Sequence, residues 1–168
     1  MIFSLGIFCC ALGYLYGNDI PYTEASFRDT CRQMTAHILD DFQGITPETA
    51  KTHGERLYAR YGITGIRGEA ADGYPTVFET ALPVFRQYRN EGLSANDAGV
   101  LTLLHIIAGS VDTNIIARSD YETFRKVQAQ IQSMLNSGID TRDFIAEIRT
   151  LDQEFIKMNI SPGGSADM

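Results

Sequence analysis

Residues 94–109 read SANDAGVLTLLHIIAG, and they decide the class of this protein. Ser94 to Asp97 has the form of a helix N-cap, a hydroxyl three residues ahead of an acid. The run behind it is apolar nearly all round, which puts this helix inside a core. Outward from it the chain keeps helical spacing. Ser119-Asp120-Tyr121-Glu122 matches a capping box and opens a helix with Phe124, Val127, Ile131 and Met134 on one face, closed by Gly138. Thr141 caps the next, with Phe144, Ile148, Leu151 and Phe155 inward.

Upstream, Pro75 suits the first position of a helix lined by Val77, Ala81, Phe85 and Tyr88. Pro83, inside it, crowds the carbonyl of Glu79 and predicts a kink. Thr23 caps a helix through Phe27, Cys31, Met34, Ile38 and Phe42 that Gly44 ends, and Thr46-Pro47 opens a helical stretch reaching Gly62. MIFSLGIFCCALGYLY, at the start, reads as a buried core helix, because about sixteen apolar residues are short for a membrane span. No period-two alternation, repeat or linker intervenes. The expectation is an all-α protein: one helical domain over residues 1–168, an orthogonal or irregular bundle around the apolar central helix.

Hydrophobic residues at 44% and charged residues at 21% are globular values. The net charge of -7 argues against nucleic acid or an anionic membrane as partner. Residues 51–90 hold six Lys/Arg against four Asp/Glu, a local +2 in an acidic chain, which suits a small phosphorylated ligand. The three cysteines, Cys9, Cys10 and Cys31, read as reduced and buried, and the cytoplasm as the compartment.

Three polar stretches interrupt the helices. The first, GITGIRGEAADGYPTVFE (Gly62–Glu79), sets Arg67 and Glu69 beside glycines, where a backbone can approach a ligand closely. Arg67 offers a planar fork for phosphate oxygens, and Glu69 a base or a metal ligand. The second, Asp112–Arg118, follows the apolar helix. Were that helix to run on, His105, Gly109 and Asp112 would share a stripe, and a buried Asp112 would need His105 or a backbone cap as partner. Asn114 and Arg118 add an amide and a guanidinium. The third, NISPGGSAD (Asn159–Asp167), combines glycines, hydroxyls and helix-start N–H groups suited to anions, without the Gly-Lys-Ser/Thr of a Walker loop.

Together GIRGEAADGYPTVFETALP, LSAND followed by DTNIIARS, and NISPGGSAD resemble the triphosphoribosyl-dephospho-CoA synthases, in order and spacing, over nearly the whole chain. That resemblance implies an all-α transferase that joins the 5-triphosphoribosyl group of ATP to the 2′-hydroxyl of 3′-dephospho-CoA. It implies that adenine is expelled and that the product is the prosthetic-group precursor of citrate lyase or malonate decarboxylase. It implies Mg²⁺ with ATP, and Glu69 or Asp112 as general base. Arg67, Gly68, Arg118, Asn159, Ser161, Gly163, Gly164 and Ser165 would meet substrate or phosphate, and Asp112, Asn114 and Asp167 the metal or ribose.

The sequence departs from the family's pattern in places. The Asn-Thr-His-Lys-Gly motif expected directly before Ile2 is absent, as is an N-terminal half, and Arg118-Ser119-Asp120 replaces Arg-Gly-Gly. Ser161-Pro162 signals a helix start with few residues behind it. The chain therefore reads as the C-terminal portion of a synthase, expected to self-associate or to associate with the missing N-terminal half. The competing expectation is a catalytically incomplete module that binds a nucleotide or a partner.

Overall fold

The computed structural model describes residues 2–138 and 141–167, the side chains of Ile2, Thr141 and Arg142 excepted. The described residues are helices joined by turns, with no strand among them, as the all-α reading requires. They form two compact units that part between Pro75 and Thr76.

The first unit holds α1 (Ile2–Gly17), α2 (Glu24–Met34), α3 (His53–Tyr61) and α4 (Ile66–Ala71). α2 packs against both α1 and α4. Thr23 starts α2 through a full capping box with Ser26, as the sequence indicates. Its end differs from expectation. The helix stops at Met34, and the chain runs through turns and a 3-10 turn at Asp40–Phe42 before Gly44. Thr35 ends it, with its hydroxyl 2.8 Å from the Cys31 carbonyl, a bond that competes with continuing the helix. α3 begins later than Thr46-Pro47 suggests. Thr52 is its cap, and Glu55 accepts the backbone N–H groups of Lys51 and Thr52 at 2.6 and 3.1 Å. Those N–H groups hold the Glu55 carboxyl below its ordinary value.

α1 corrects the expectation of a buried helix. Among its described side chains only a stripe of Ser4, Ala11 and Leu15 is buried, while Phe3, Leu5, Leu12, Tyr14 and Tyr16 are exposed. Cys9 and Cys10 are exposed too, and Cys31 alone is buried. A helix apolar on every side carries no periodic signal for which side a neighbour covers. Phe8 reaches inward, its ring edge-on to Phe27 and Tyr74 at 5.2 and 4.7 Å.

The second unit opens with a π-helical stretch, Thr76–Ala81, that leads into α5 (Leu82–Asn90). Pro83 lacks an N–H and cannot fit behind a regular turn at Glu79, so the wider turn stands where a kink was expected. Then come α6 (Ala95–Gly109), α7 (Thr113–Arg118), α8 (Tyr121–Leu135), α9 (Thr141–Lys157) and α10 (Gly163–Ala166). α6 is central to this unit, against the π stretch, α5, α8 and α10, with Leu101, Leu104, Ile106 and Ile107 buried. Ser94 caps it, accepting the Asp97 N–H. Its last carbonyls are met by α8. Gln128 Nε2 donates to Ile107 O and Ser110 O at 3.1 and 3.0 Å, and Gln132 Nε2 to Ala108 O at 2.8 Å. That accounts for the burial of Gln128. The cap of α8 is Asp120, one residue beyond the predicted Ser119. The expected cap at Thr141 lies outside the described side chains.

Candidate functional site

In the second unit the site is built around Asp112. α6 ends at Gly109, Ser110 turns extended, and Asp112 becomes the N-cap of α7. The single stripe of His105, Gly109 and Asp112 is thereby broken. His105 pairs with Tyr88, its Nε2 lying 3.2 Å from the phenol oxygen. Burial lowers the His105 pKa and raises that of Tyr88.

Asp112 is wholly enclosed, and backbone N–H groups satisfy it from two directions. Oδ1 accepts from Asn114 N at 2.8 Å and Ile115 N at 3.0 Å, the usual business of an N-cap. Oδ2 accepts from Ser165 N at 2.7 Å. Ser165 is the third residue of α10, whose own N-cap, Pro162, has no side chain to offer. One carboxylate therefore caps two helices, and the positive ends of both face its charge.

The two glycines of SPGGSAD owe their identity to this junction. A Cβ on Gly164 would stand 2.8 Å from Asp112 Oδ1, and one on Gly163 2.8 Å from Asn114 Nδ2. Ser161 Oγ lies beside Gly163 as well. Asp112, Asn114, Ser161, Gly163, Gly164 and Ser165 are thus brought together. Ser165 Oγ is buried without a hydrogen-bond partner among the described residues. Asn159 ends α9 in the left-handed conformation (φ 54°), with Ile160 N bonded back to Phe155 O at 2.8 Å, a Schellman closure. Asp167 is the exposed C-cap of α10, and Arg118 is exposed in the last turn of α7.

In the first unit, Arg67, Gly68 and Glu69 lie on α4. Arg67 bonds Asp41 at 3.2 Å and lies over the Phe42 ring at 5.1 Å, its side chain 40% exposed. Glu69 is half-buried. Gly68 is buried because Thr64 leaves no room: a Cβ there would come 2.0 Å from Thr64 Oγ1. The end of α4 is held by residues that sequence reasoning missed. Thr35 Oγ1 lies 3.0 Å from Ala70 O, Arg32 Nε donates to Asp72 O at 3.2 Å, and Arg28 Nε to Gly73 O at 3.1 Å. Their signal was available, since Arg28, Arg32 and Thr35 share one face of α2.

Past α4, Gly73 (φ 70°) and Tyr74 (φ 57°) turn left-handed, and Tyr74 N bonds Glu69 O at 2.6 Å. Tyr74 is fully buried. Neither its hydroxyl nor Ser4 Oγ has a hydrogen-bond partner of ordinary geometry among the described residues. Burial pushes the phenol pKa up, and the neighbouring Ser4 hydroxyl offsets this only in part.

Comparison with known proteins agrees with the motifs. The chain is 35% identical over 169 residues to a probable 2-(5''-triphosphoribosyl)-3'-dephosphocoenzyme-A synthase of Photobacterium profundum, covering 100% of this chain and 54% of that protein. It is 38% identical over 167 residues to the protein of the same name from Pectobacterium carotovorum subsp. carotovorum, covering 99% and 54%. The chain thus spans about half the length of the curated relatives it matches. No solved structure matches it. The sequence model of the ATP:dephospho-CoA triphosphoribosyl transferases matches residues 1–168 from end to end, and the chain belongs to that family.

Proposed function

We propose that this chain carries substrate-binding and proton-transfer groups for moving the 5-triphosphoribosyl group of ATP to the 2′-hydroxyl of 3′-dephospho-CoA. The observation that carries the reading is the family match over all 168 residues, beside which Asp112, Asn114, Ser161, Gly163, Gly164 and Ser165 come together in the second unit. In the reaction the hydroxyl oxygen bonds the anomeric carbon of the ATP ribose, and the bond from that carbon to adenine breaks. The hydroxyl proton passes to a carboxylate, and adenine leaves after taking up a proton. The product would be the prosthetic-group precursor of citrate lyase or malonate decarboxylase, made in the cytoplasm.

Two carboxylates were candidates for the base, and their surroundings separate them. Asp112 already accepts three N–H groups and has no exposed surface from which to meet a substrate hydroxyl. Glu69, half-buried on α4, keeps some surface to meet a substrate and supports the base assignment better. Arg118 is exposed and Arg67 partly so, though Arg67 already holds Asp41, and these are the proposed guanidinium contacts for phosphate oxygens. Magnesium belongs in this reading as part of the nucleotide substrate, held by its phosphates. Asp112 is committed to three helix N–H groups, which leaves Asn114 and Asp167 as the proposed contacts to the metal-bound nucleotide or its ribose.

Partners are expected at α1, where exposed apolar side chains support self-association or packing against the part of the family's length this chain does not span. Among the described residues no helix is long and apolar enough to cross a membrane.

The test is adenine release, followed by chromatography, from the chain with ATP, Mg²⁺ and dephospho-CoA. Release that depends on dephospho-CoA and drops at least about a hundredfold in Glu69→Gln is the expected result. Release without dephospho-CoA would indicate hydrolysis. Nucleotide binding with no release, from folded chain, would favour the binding module.

A further inference from the structure

We propose that Asp112 is a positioning residue, a splint that fixes the NISPGGSAD turn to the start of α7. The proposal deepens the reading above, since the splinted elements carry Asn114, Ser161 and Ser165, its candidate substrate contacts. Three observations converge on it. The carboxylate is enclosed, so it does not face a ligand. Its two oxygens serve different helices, α7 at 2.8 and 3.0 Å and α10 at 2.7 Å, across 53 residues of chain. And both glycines of the turn are places where a Cβ would strike Asp112 or Asn114. A four-residue helix cannot hold itself together in water, so α10 depends on contacts of this kind.

The two-sided geometry makes the test specific. An asparagine at position 112 keeps one acceptor oxygen and gains an NH₂. With the oxygen on the α7 side it retains two N–H bonds and sets the NH₂ against the Ser165 N–H. The opposite orientation loses two bonds to keep one. Asp112→Asn therefore frees α10 and spares α7.

Amide hydrogen exchange of the unmodified 168-residue chain should show Ser165 protected along with Asn114 and Ile115. In Asp112→Asn the Ser165 amide should exchange roughly tenfold faster or more, while Asn114 and Ile115 stay protected. Unprotected exchange of Ser165 in the unmodified chain would overturn the splint, even if the variant failed to fold. Equal loss at all three amides, or at none, would overturn it as well. These readouts need no turnover, so they stand if the proposed reaction is wrong. If the chain turns over, Asp112→Asn should raise KM and leave the pH profile of kcat in shape, whereas loss of the acidic limb would make Asp112 the base and end the proposal.

Discussion

Tyr88 and His105 meet across the second unit at 3.2 Å, phenol oxygen to Nε2, and burial holds the imidazole neutral. The folded pKa of His105 lies below its unfolded value of about 6.5. Between those two values the unfolded chain binds more protons. Stability is thus fully present above the unfolded value and declines as pH falls toward the folded one. Urea unfolding followed by circular dichroism should show lower stability at pH 5.5 than at pH 7.5. His105→Gln should flatten that difference. An unchanged slope in the variant would show that His105 does not titrate on unfolding.

Gly68→Ala should cost about 1–3 kcal/mol of stability, because its Cβ would fall 2.0 Å from Thr64 Oγ1. Thr64→Ala in the same chain removes that oxygen but leaves Thr64 Cβ at 2.9 Å, so the double variant should recover part of the loss. Thermal melts of the four chains decide it. Additive losses would mean the two side chains do not collide.

Asp120→Ala should lower stability by about 1 kcal/mol, the worth of a helix cap. Ser119→Ala should cost less, because the Ser119 hydroxyl bonds back to Ile115 O at 2.7 Å and holds no N–H at the start of α8. The reverse order in denaturant melts would restore the cap to Ser119.

Tyr74→Phe should leave stability unchanged or slightly raised, since it removes a buried hydroxyl with no well-formed bond. Tyr74→Ala should cost about 3–5 kcal/mol, the usual loss on emptying an aromatic core position. A large loss in the phenylalanine variant would reveal a partner for that hydroxyl.

The parts legible in the sequence were those with a short-range cause. Thr23 and Ser94 start helices because a hydroxyl finds an N–H three residues on, and α6 is central because its sides are apolar nearly all round. The stripe joining His105 to Asp112 failed at one bond, where Ser110 leaves the helix. Asp-Thr-Asn after a glycine was a cap signal there, and the apolar period overrode it. The burial of α1 was not legible, because a helix with no polar face gives no direction. In the site, the glycines of NISPGGSAD read as room for an anion. Their neighbours are side chains about 50 residues away, beyond the reach of any local pattern.

The grip of Arg28, Arg32 and Thr35 on the end of α4 bears on what keeps that helix ordered. α4 has six residues, too few to persist alone, and its terminal carbonyls are received by a helix some 40 residues earlier in the chain. α2, started by its own capping box and packed on α1, supplies the ordered surface on which α4 rests. The segment that presents Arg67 and Glu69 is thus held from outside itself. It inherits its order from α2, and any change that loosens α2 would scatter those two side chains without touching either.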